Sequence, residues 1–514
     1  MGEEPPEPGD TEPVRSGLAQ DVAIGFDRAV IVAERPVALG KCVRLVREFA
    51  GDVFDEVVAR PKQASAVLLR RGQFSDNALT ADHIGSILSG MDSAAEQIVV
   101  RRGDPLVGEV VVPGAKNSVL KLMAATLLAD GVTTLTNVPA IADVAIMGDL
   151  LDAIGVSSAR HPNDPGTLVL TNHGVLTPVA PYELVERIRA SINVLGPLLT
   201  RCATVRMSLP GGDDFGSRPI DMHLSGLEAM GASFELHHGY LEARAEQLHG
   251  SKITFEFPSV GATENILTAA VFAKGTTVID NAAREPEIGD LCSFLVSMGA
   301  DIEGIGSSTL IIHGVERGSL RPVTHEVVPD RIQAATYVAA AGVTGGEITL
   351  VNARVEHMEM IIKRFVDMGI TVTPQADGIA VWAPKRLKSV DVATLPYPGI
   401  ATDYKPLIVT MLSVADGVGI VTENLYPGRF RYVEELLRLG ADISTDGHHA
   451  VVRGVARLSG APVRAPDIRA GAALVVAGLA ADGETVISGV DHIDRGYDNL
   501  VGRLAALGAD ITRR

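Results

Sequence analysis

Charged residues in unusual settings show where this chain could do chemistry. Lys116 follows Val112-Pro113-Gly114-Ala115 and begins an Ala- and Leu-rich segment that is predicted to be a helix. The unpaired amides and the dipole at a helix N-terminus favour an anion, which a Lys at that point can reach. Arginines bind carboxylate and phosphate groups with paired hydrogen bonds, and five isolated ones stand out: Arg189, Arg218, Arg429, Arg469 and Arg495. As a set these residues predict a site for anionic ligands, although each alone also fits a solvated side chain or a structural ion pair.

Two aspartates could move protons at such a site. Asp213 lies in Pro210-Gly211-Gly212-Asp213-Asp214-Phe215-Gly216, a composition that fits either a loop closing over a site or a plain surface turn. Asp330 and Asp467 each precede a predicted helix, so we expect both to be N-caps. Asp403, in Ala-Thr-Asp-Tyr, has no comparable structural explanation.

A recurring pattern predicts the elements that position these residues. Six times a helix-like segment ends in glycine and leads into a strand, as in Leu-Ala-Ala-Leu-Gly-Ala-Asp-Ile-Thr, at intervals of about 70 residues. We expect each glycine to be a left-handed residue at the end of a helix; they are Gly155, Gly231, Gly299, Gly369, Gly440 and Gly508. A second helix, a Gly-containing turn and a β-branched strand precede most copies. Each repeat is therefore predicted to be an α/β unit with two helices.

Composition excludes several classes of protein. The 514 residues, 46% of them hydrophobic, predict a large aliphatic core in two or more domains. The net charge of -18 argues against a nucleic-acid partner. Three distant cysteines without CxxC spacing indicate neither a disulfide framework nor a zinc site. No apolar run of about 18 residues and no leader-like segment occurs, so we expect a cytoplasmic location without membrane contact.

The common motifs of other enzyme classes are also missing. The sequence contains no Walker GxxxxGK, no GxGxxG after a strand, no HExxH and no GxSxG. The residues by themselves therefore predict an α/β enzyme that handles anions.

Residues 96–514 resemble the UDP-N-acetylglucosamine enolpyruvyl transferases of bacterial cell-wall synthesis. The resemblance rests on phrases in the same order along the chain: PGAKN, RASINVLGPLL, SVGATEN, NAAREPEI, PDRI, DIRAGA and HIDRGY. The related enzymes that act on shikimate 3-phosphate share the fold but match these phrases less well.

The resemblance implies a fold, a domain division and an activity. The fold is α/β, a two-domain inside-out α/β barrel built of six βαβαββ repeats. One domain would span 116–325 and the other 91–115 with 326–514, while 1–90 would be an extension of unknown role that activity does not need. The implied activity transfers the enolpyruvyl group of phosphoenolpyruvate to the 3-hydroxyl of UDP-N-acetylglucosamine and releases phosphate, the first committed step of peptidoglycan precursor synthesis.

Family roles carry over residue by residue. The resemblance assigns phosphoenolpyruvate to Lys116, Asn117, Arg218, Arg429, Arg469 and Arg495. It assigns the UDP-sugar to Arg189, Arg218, Pro219, Ile220, Asp221, Met222, Ser259, Val260, Gly261, Asp403 and Leu425. Asp403 would take the proton of the attacking hydroxyl, Asp213 would protonate the methylene carbon, and Lys116 and Arg495 would clamp the intermediate. The scheme needs neither a cofactor nor a metal.

Several positions depart from the family pattern. The family usually has Cys where this chain has Asp213, so we expect resistance to fosfomycin, which alkylates a thiolate. Ile400-Ala401, Tyr404-Lys405 and Pro427-Gly428 also differ and flank the acceptor site. They leave open a paralogue that modifies another uridine nucleotide in specialised metabolism, and a non-catalytic binding protein is a further alternative. The oligomeric state is not predicted.

Overall fold

The chain divides into two compact units, Met1–Ala95 and Glu96–Arg514. The computed structural model describes residues 96–212 and 219–514, together with the backbone of three short strands in the first unit. These strands form an antiparallel sheet in the order Val30–Val32, Ala66–Leu69, Val57–Val58. All further structural statements concern the second unit.

Six small sheets of three or four strands, each packed with two or three helices, form most of the described second unit, and a two-stranded parallel sheet joins Leu458–Ser459 to Ala481–Asp482. In the third repeat, Lys252–Thr254 pairs in parallel with Thr276–Asp280, and an antiparallel hairpin completes the sheet. The other repeats follow this βαβαββ plan, except that a single parallel bridge, Val179 to Arg206, replaces the first strand of the second repeat. The predicted six-repeat α/β fold is confirmed.

The elements of repeats one to three, called the first lobe below, are as follows. Repeat one has strands Thr324–Glu326, Gly131–Thr136, Val156–His161 and Asp164–Asn172 with helices Lys116–Ala125 and Ala142–Ile154. Repeat two has strands Thr204–Ser208, Ser233–His237 and Tyr240–Arg244 with helices Leu195–Cys202 and Asp221–Ala229, after a short helix Tyr182–Val185 and a 3-10 helix Arg189–Val194. Repeat three has strands Lys252–Thr254, Thr276–Asp280, Asp301–Glu303 and Thr309–His313 with helices Val260–Ala270 and Pro286–Met298.

Repeats four to six form the second lobe. Repeat four has strands Val107–Val111, Glu347–Val351, Thr371–Gln375 and Gly378–Trp382 with helices Arg331–Thr344 and Glu359–Asp367. Repeat five has strands Val392–Ala393, Val418–Thr422, Asp442–Asp446 and His449–Arg453 with helices Lys405–Ser413 and Val433–Arg438. Repeat six has strands Pro462–Arg464, Glu484–Ser488, Asp510–Arg513 and Ile98–Arg101 with helices Ile468–Leu479, Val490–Asp494 and Leu500–Ala506.

The first helix of each repeat is buried at the centre of its lobe. All twelve residues of Ile468–Leu479 and all nine of Lys405–Ser413 are buried. A helix that is apolar on every side has no solvent face, so it must be enclosed by other elements. The buried apolar residues accordingly form two separate clusters, one within 119–327 and the other from 98–112 and 332–511.

All six predicted glycines leave their helices in the left-handed conformation. Gly155 and Gly299, for example, have φ of 114° and end their helices directly. The other four also have positive φ. A residue with a Cβ would be strained at these turns, so the prediction of glycine ends is confirmed.

The chain passes between the lobes twice, at 112–115 and at 327–330. These two segments lie side by side, with a bridge between Gly114 and Pro329. Ala115 N donates to Val328 O at 2.7 Å, and Asp330 N donates to Pro113 O at 2.8 Å. A Cβ on Gly114 would lie 1.9 Å from the carbonyl oxygen of Asn137, so this crossing requires glycine. Both segments lead directly into buried helices that begin at Lys116 and Arg331.

Among the described residues, no helix has the length and apolar character needed to cross a membrane.

Candidate active site

Lys116 begins the helix that follows the first crossing between the lobes. Its backbone N–H donates to Asp330 Oδ2 at 3.3 Å, and its Nζ lies 2.8 Å from Asp143 Oδ2. The other oxygen of Asp143 accepts from Arg495 Nε at 2.8 Å. Since Asp143 belongs to the first lobe and Arg495 to the second, this buried carboxylate links cations of both lobes.

The environment of Lys116 is strongly cationic. Burial lowers the pKa of its ammonium group, and Asp143 opposes that shift. The positive charges of Arg469 and Arg495 lower the pKa further, and Asp143 bridges Lys116 to Arg495. The structure therefore brings together three of the predicted anion-binding residues.

Asp403 lies between two further arginines. It belongs to the 3-10 helix Thr402–Tyr404, which precedes a buried helix of repeat five. Its Oδ1 accepts from Arg429 Nη1 at 2.8 Å and its Oδ2 from Arg469 Nε at 3.1 Å. Burial alone would raise the pKa of this carboxyl, but Arg429 and Arg469 outweigh it and hold the pKa well below its usual range. Nη1 of Arg469 is buried without a hydrogen-bond partner among the described residues.

Four cations lie in the first turns of buried helices. They are Lys116, Arg331, Lys405 and Arg469, and each begins its helix or is its second residue. A positive charge at a helix N-terminus opposes the helix dipole, and burial adds a desolvation cost. Each cation accordingly has an acidic partner; in the same order these are Asp143, Glu287, Glu423 and Asp403.

The residues assigned to the UDP-sugar in the first lobe gather around His223. This buried side chain contacts Asn265 Nδ2 through Nδ1 at 2.8 Å, and a Cβ on Gly261 would lie 3.0 Å from its Cε1. Burial lowers the pKa of His223 to about 4, and the charge of Arg189 adds to the shift. His223 is on the helix that starts at Asp221, directly after Pro219 and Ile220 and next to Met222. Ser259 caps the helix of Val260 and Gly261 by accepting from Ala262 N.

Arg189 contacts both ends of the Gly-rich loop. Its Nη1 donates to Pro210 O at 3.4 Å and its Nη2 to Pro219 O at 3.3 Å. A Cβ on Gly211 would lie 1.7 Å from Glu186 O, so the loop leaves the lobe through a position that only glycine can occupy. Asp213 and Arg218 lie outside the described residues, and their predicted roles remain predictions.

Leu425 and Asn117, the remaining residues assigned to the substrates, lie in different lobes. The N–H of Leu425 donates to Glu423 Oε1 at 2.8 Å in the second lobe. The carbonyl oxygen of Asn117 accepts from Lys121 Nζ at 2.7 Å in the first lobe. The predicted N-caps are confirmed, because Asp330 and Asp467 each accept two backbone N–H bonds of the following helix.

Sequence reasoning did not identify Asp143, His223 or the pair Lys405 and Glu423. Asp143 lies in the first turn of its helix, where an acidic residue is ordinary, so its type and position gave no signal. The dipeptide Tyr404-Lys405 was noted only as a departure from the family pattern. A Lys at the start of a wholly apolar segment could have indicated a buried ion pair.

Proteins with similar sequences carry one name across several bacterial groups. The chain is 50% identical over 424 residues to the UDP-N-acetylglucosamine 1-carboxyvinyltransferase of Nocardia farcinica, covering 82% of this chain and 99% of that one. The protein of that name from Mycobacterium tuberculosis is 51% identical over 419 residues, with the same coverage. The one from Myxococcus xanthus is 46% identical over 418 residues, covering 81% and 99%.

Several solved structures share the architecture of this chain. The enolpyruvyl transferase NikO from Streptomyces tendae matches with a TM-score of 0.75 and 26% identity over 82% of this chain and 99% of that one. EPSP synthase from Acinetobacter baumannii shares the fold, with a TM-score of 0.63 at 19% identity, over 82% and 100% of the two chains. The family model of EPSP synthase (3-phosphoshikimate 1-carboxyvinyltransferase) matches residues 100–504. With its six repeats and close relatives, the chain belongs to the UDP-N-acetylglucosamine 1-carboxyvinyltransferase family of enzymes, within the enolpyruvyl transferase fold.

Proposed function

We propose that this enzyme transfers the enolpyruvyl group of phosphoenolpyruvate to the 3-hydroxyl of UDP-N-acetylglucosamine and releases phosphate. Relatives that are 46–51% identical across almost their full length carry the name of this activity. The product is the first dedicated precursor of peptidoglycan.

The buried cations are the observation that carries the proposal. Lys116, Arg429, Arg469 and Arg495 converge on two carboxylates, Asp143 and Asp403. All four side chains are less than one-fifth exposed, and Lys116 and Arg469 also lie at helix N-termini, where a positive charge opposes the helix dipole. An anionic substrate that enters such a site finds charged donors already in place.

In the proposed reaction the two aspartates carry out the proton transfers. Asp213 would donate a proton to C3 of phosphoenolpyruvate while the sugar hydroxyl attacks C2 and gives its proton to Asp403. Lys116 and the arginines would hold the carboxylate and phosphate of the tetrahedral intermediate. Return of a proton from C3 to the Asp213 carboxylate and departure of phosphate, which takes up the proton held by Asp403, then give the enolpyruvyl sugar.

The ion pairs of Asp403 explain how a weak base could become competent. In the structure Arg429 and Arg469 keep the pKa of its carboxyl low, which disfavours proton uptake. The carboxylate and phosphate of the substrate would compete for these guanidinium groups, and a carboxyl that loses such partners regains a higher pKa. The base would then become active only when phosphoenolpyruvate is bound.

The two lobes are the proposed domains that close on the substrates. Each has its own apolar cluster, and only two segments, 112–115 and 327–330, connect them in the described chain. The nucleotide residues around His223 lie in the first lobe and Asp403 and Leu425 in the second. A nucleotide sugar that contacts both sets would favour closure.

Mass spectrometry and phosphate release test the proposal. Incubation with phosphoenolpyruvate and UDP-N-acetylglucosamine is expected to yield phosphate and a sugar nucleotide heavier by one enolpyruvyl group. Asp403→Asn should lower kcat by about 100-fold or more, the usual contribution of a general base, while calorimetry still detects nucleotide binding. Asp416→Asn, the same change at an exposed position, serves as the control.

Turnover assays with other uridine nucleotides identify the acceptor substrate. Turnover with a different uridine nucleotide and none with UDP-N-acetylglucosamine would contradict the proposed acceptor. Nucleotide binding without phosphate release from any acceptor would contradict enolpyruvyl transfer itself.

A further inference from the structure

Lys405 and Glu423 form an ion pair that no substrate can reach. Both side chains are 0% exposed, and Lys405 Nζ lies 2.9 Å from Glu423 Oε2. Removing two charges from water is costly unless further hydrogen bonds satisfy them. The contacts of this pair therefore indicate its role.

Glu423 is hydrogen-bonded to two segments that carry proposed site residues. Its Oε2 accepts from Thr402 Oγ1 at 2.7 Å, next to the proposed base Asp403. Its Oε1 accepts from the N–H groups of Leu425 at 2.8 Å and Tyr426 at 3.1 Å. Thr394 Oγ1 donates to the same oxygen at 2.6 Å. One carboxylate thus connects the segment of the base with the segment that holds a proposed nucleotide contact.

Lys405 adds the segment of Arg429. Its Nζ donates to the carbonyl oxygen of Arg429 and lies 3.8 Å from the ring centroid of Phe430. Glu423 therefore holds the beginning of the turn 425–429 by accepting hydrogen bonds from its first two N–H groups. Lys405 holds the end of the turn by donating to the carbonyl oxygen of Arg429. Arg429 itself donates to Asp403 from this turn.

We propose that Lys405 and Glu423 are positioning residues that hold the base, the nucleotide-contact segment and Arg429 in one reactive geometry. The inference rests on the proposed function for the identity of the base and the ligands. It concerns a pair that touches neither substrate and acts through the backbone of its neighbours.

The charge state of Lys405 predicts how kcat/KM depends on pH. The groups that face its ammonium are Glu423, Arg429 and Asp467, with the rings of Phe430 and Tyr432 beside it. Burial lowers the pKa of Lys405 to about 8, although Glu423 opposes the shift. Above that pH a neutral amine no longer attracts the carboxylate. Since kcat/KM reports the free enzyme, we expect it to decrease as pH rises through about 8.

The experiment compares Lys405→Met with Arg201→Met in the full-length protein. Arg201 donates to Asp130 at 2.6 Å and to the carbonyl oxygen of Leu128 at 3.1 Å, so its loss removes the same kinds of contact. Arg201 lies in the last turn of the first-lobe helix Leu195–Cys202. Lys116 and Arg469 of the site lie instead in the first turns of their helices. Phosphate release, nucleotide binding by calorimetry and thermal melting are measured for both variants, with kcat/KM followed from pH 6.5 to 9.5.

Lys405→Met is expected to lower kcat/KM by about 10- to 100-fold, the cost of a displacement near 1 Å in a site. It should also weaken nucleotide binding several-fold and abolish the decrease near pH 8. Arg201→Met should have a lower melting temperature than the wild type but the same kcat/KM. A Lys405→Met protein with wild-type kcat/KM, or one that keeps the decrease near pH 8, would overturn the inference. If the wild type binds the nucleotide but releases no phosphate, the proposed function fails, and nucleotide binding by the variants still decides the positioning role.

Discussion

Asp403 is partly buried and Glu264 fully buried, and the fold gives these two carboxyl groups different partners. Asp403 accepts from two guanidinium groups and is held ionised. Glu264 has Lys121 at 3.6 Å and Asn193 at 3.2 Å, and its Oε1 has no hydrogen-bond partner among the described residues. Burial raises the pKa of Glu264 to about 7 in spite of Lys121, and the charge of Glu287 adds to the rise. The charge of the second group therefore changes within the physiological pH range.

Glu264→Gln should make the protein less sensitive to pH. A carboxyl whose pKa is raised by folding stabilises the folded state below its unfolded value of about 4.5 and loses that contribution as pH rises through about 7. Between pH 5 and pH 8 the free energy of unfolding of the wild type should thus fall, relative to the variant, by about 2–3 kcal/mol. Urea denaturation at both pH values measures this difference. An equal change in both proteins would contradict the assignment, and Glu228→Gln, at an exposed position, is the control.

The residue at position 213 predicts the response to fosfomycin. The family resemblance predicts that Asp213 stands where the family usually has Cys, and a carboxylate is a far poorer nucleophile than a thiolate toward an epoxide. The wild type should keep its activity after prolonged incubation, whereas Asp213→Cys should lose activity with time and gain the mass of the inhibitor. Time-dependent inactivation of the wild type with an adduct on Asp213 would refute this prediction.

At the scale of elements, the double crossing between the lobes fixes where the inner helices begin. Gly114→Ala should lower the free energy of unfolding by about 2 kcal/mol or more, because the new methyl group would lie 1.9 Å from a backbone oxygen that cannot rotate away. It should also lower kcat, since Lys116 follows two residues later. Gly289→Ala, in the helix Pro286–Met298, has no atom within 4 Å of the added Cβ. This control should be neutral or more stable by up to about 1 kcal/mol.

Denaturation and phosphate release measure the effects predicted for Gly114→Ala. A Gly114→Ala protein as stable and as active as the wild type would show that the first crossing segment can move away from Asn137 without cost.

At the scale of the whole molecule, residues 1–90 lie outside the part that resembles the family. The relatives match 81–82% of this chain and 99% of their own lengths. Glu96–Arg514 forms a compact unit by itself, and its strand Ile98–Arg101 pairs with the last strand of the chain. A protein that starts at Met91 keeps this pairing and should fold with wild-type kcat and KM. If it melts normally but releases no phosphate, the first 90 residues contribute to activity.

The sequence alone determined the repeats, the glycine ends of their helices and the two N-caps. These features depend on local rules: the period of apolar residues, the conformational freedom of glycine and the short reach of an aspartate to the next N–H groups. The resemblance in ordered phrases added the family. Neither source placed residues 1–90, and the roles of Asp213 and Arg218 remain predictions.

Only the tertiary structure decided which charges meet. Asp143 accepts a hydrogen bond of 2.8 Å from Arg495, which lies 352 positions further along the chain. Asp403 likewise accepts from Arg469, 66 positions away. The sequence marks Lys405 only as a departure from the family pattern, whereas the fold encloses it with Glu423. An ion pair of this kind depends on how separate repeats pack, and the pattern of one segment contains no information about the side chain that another segment will bring beside it.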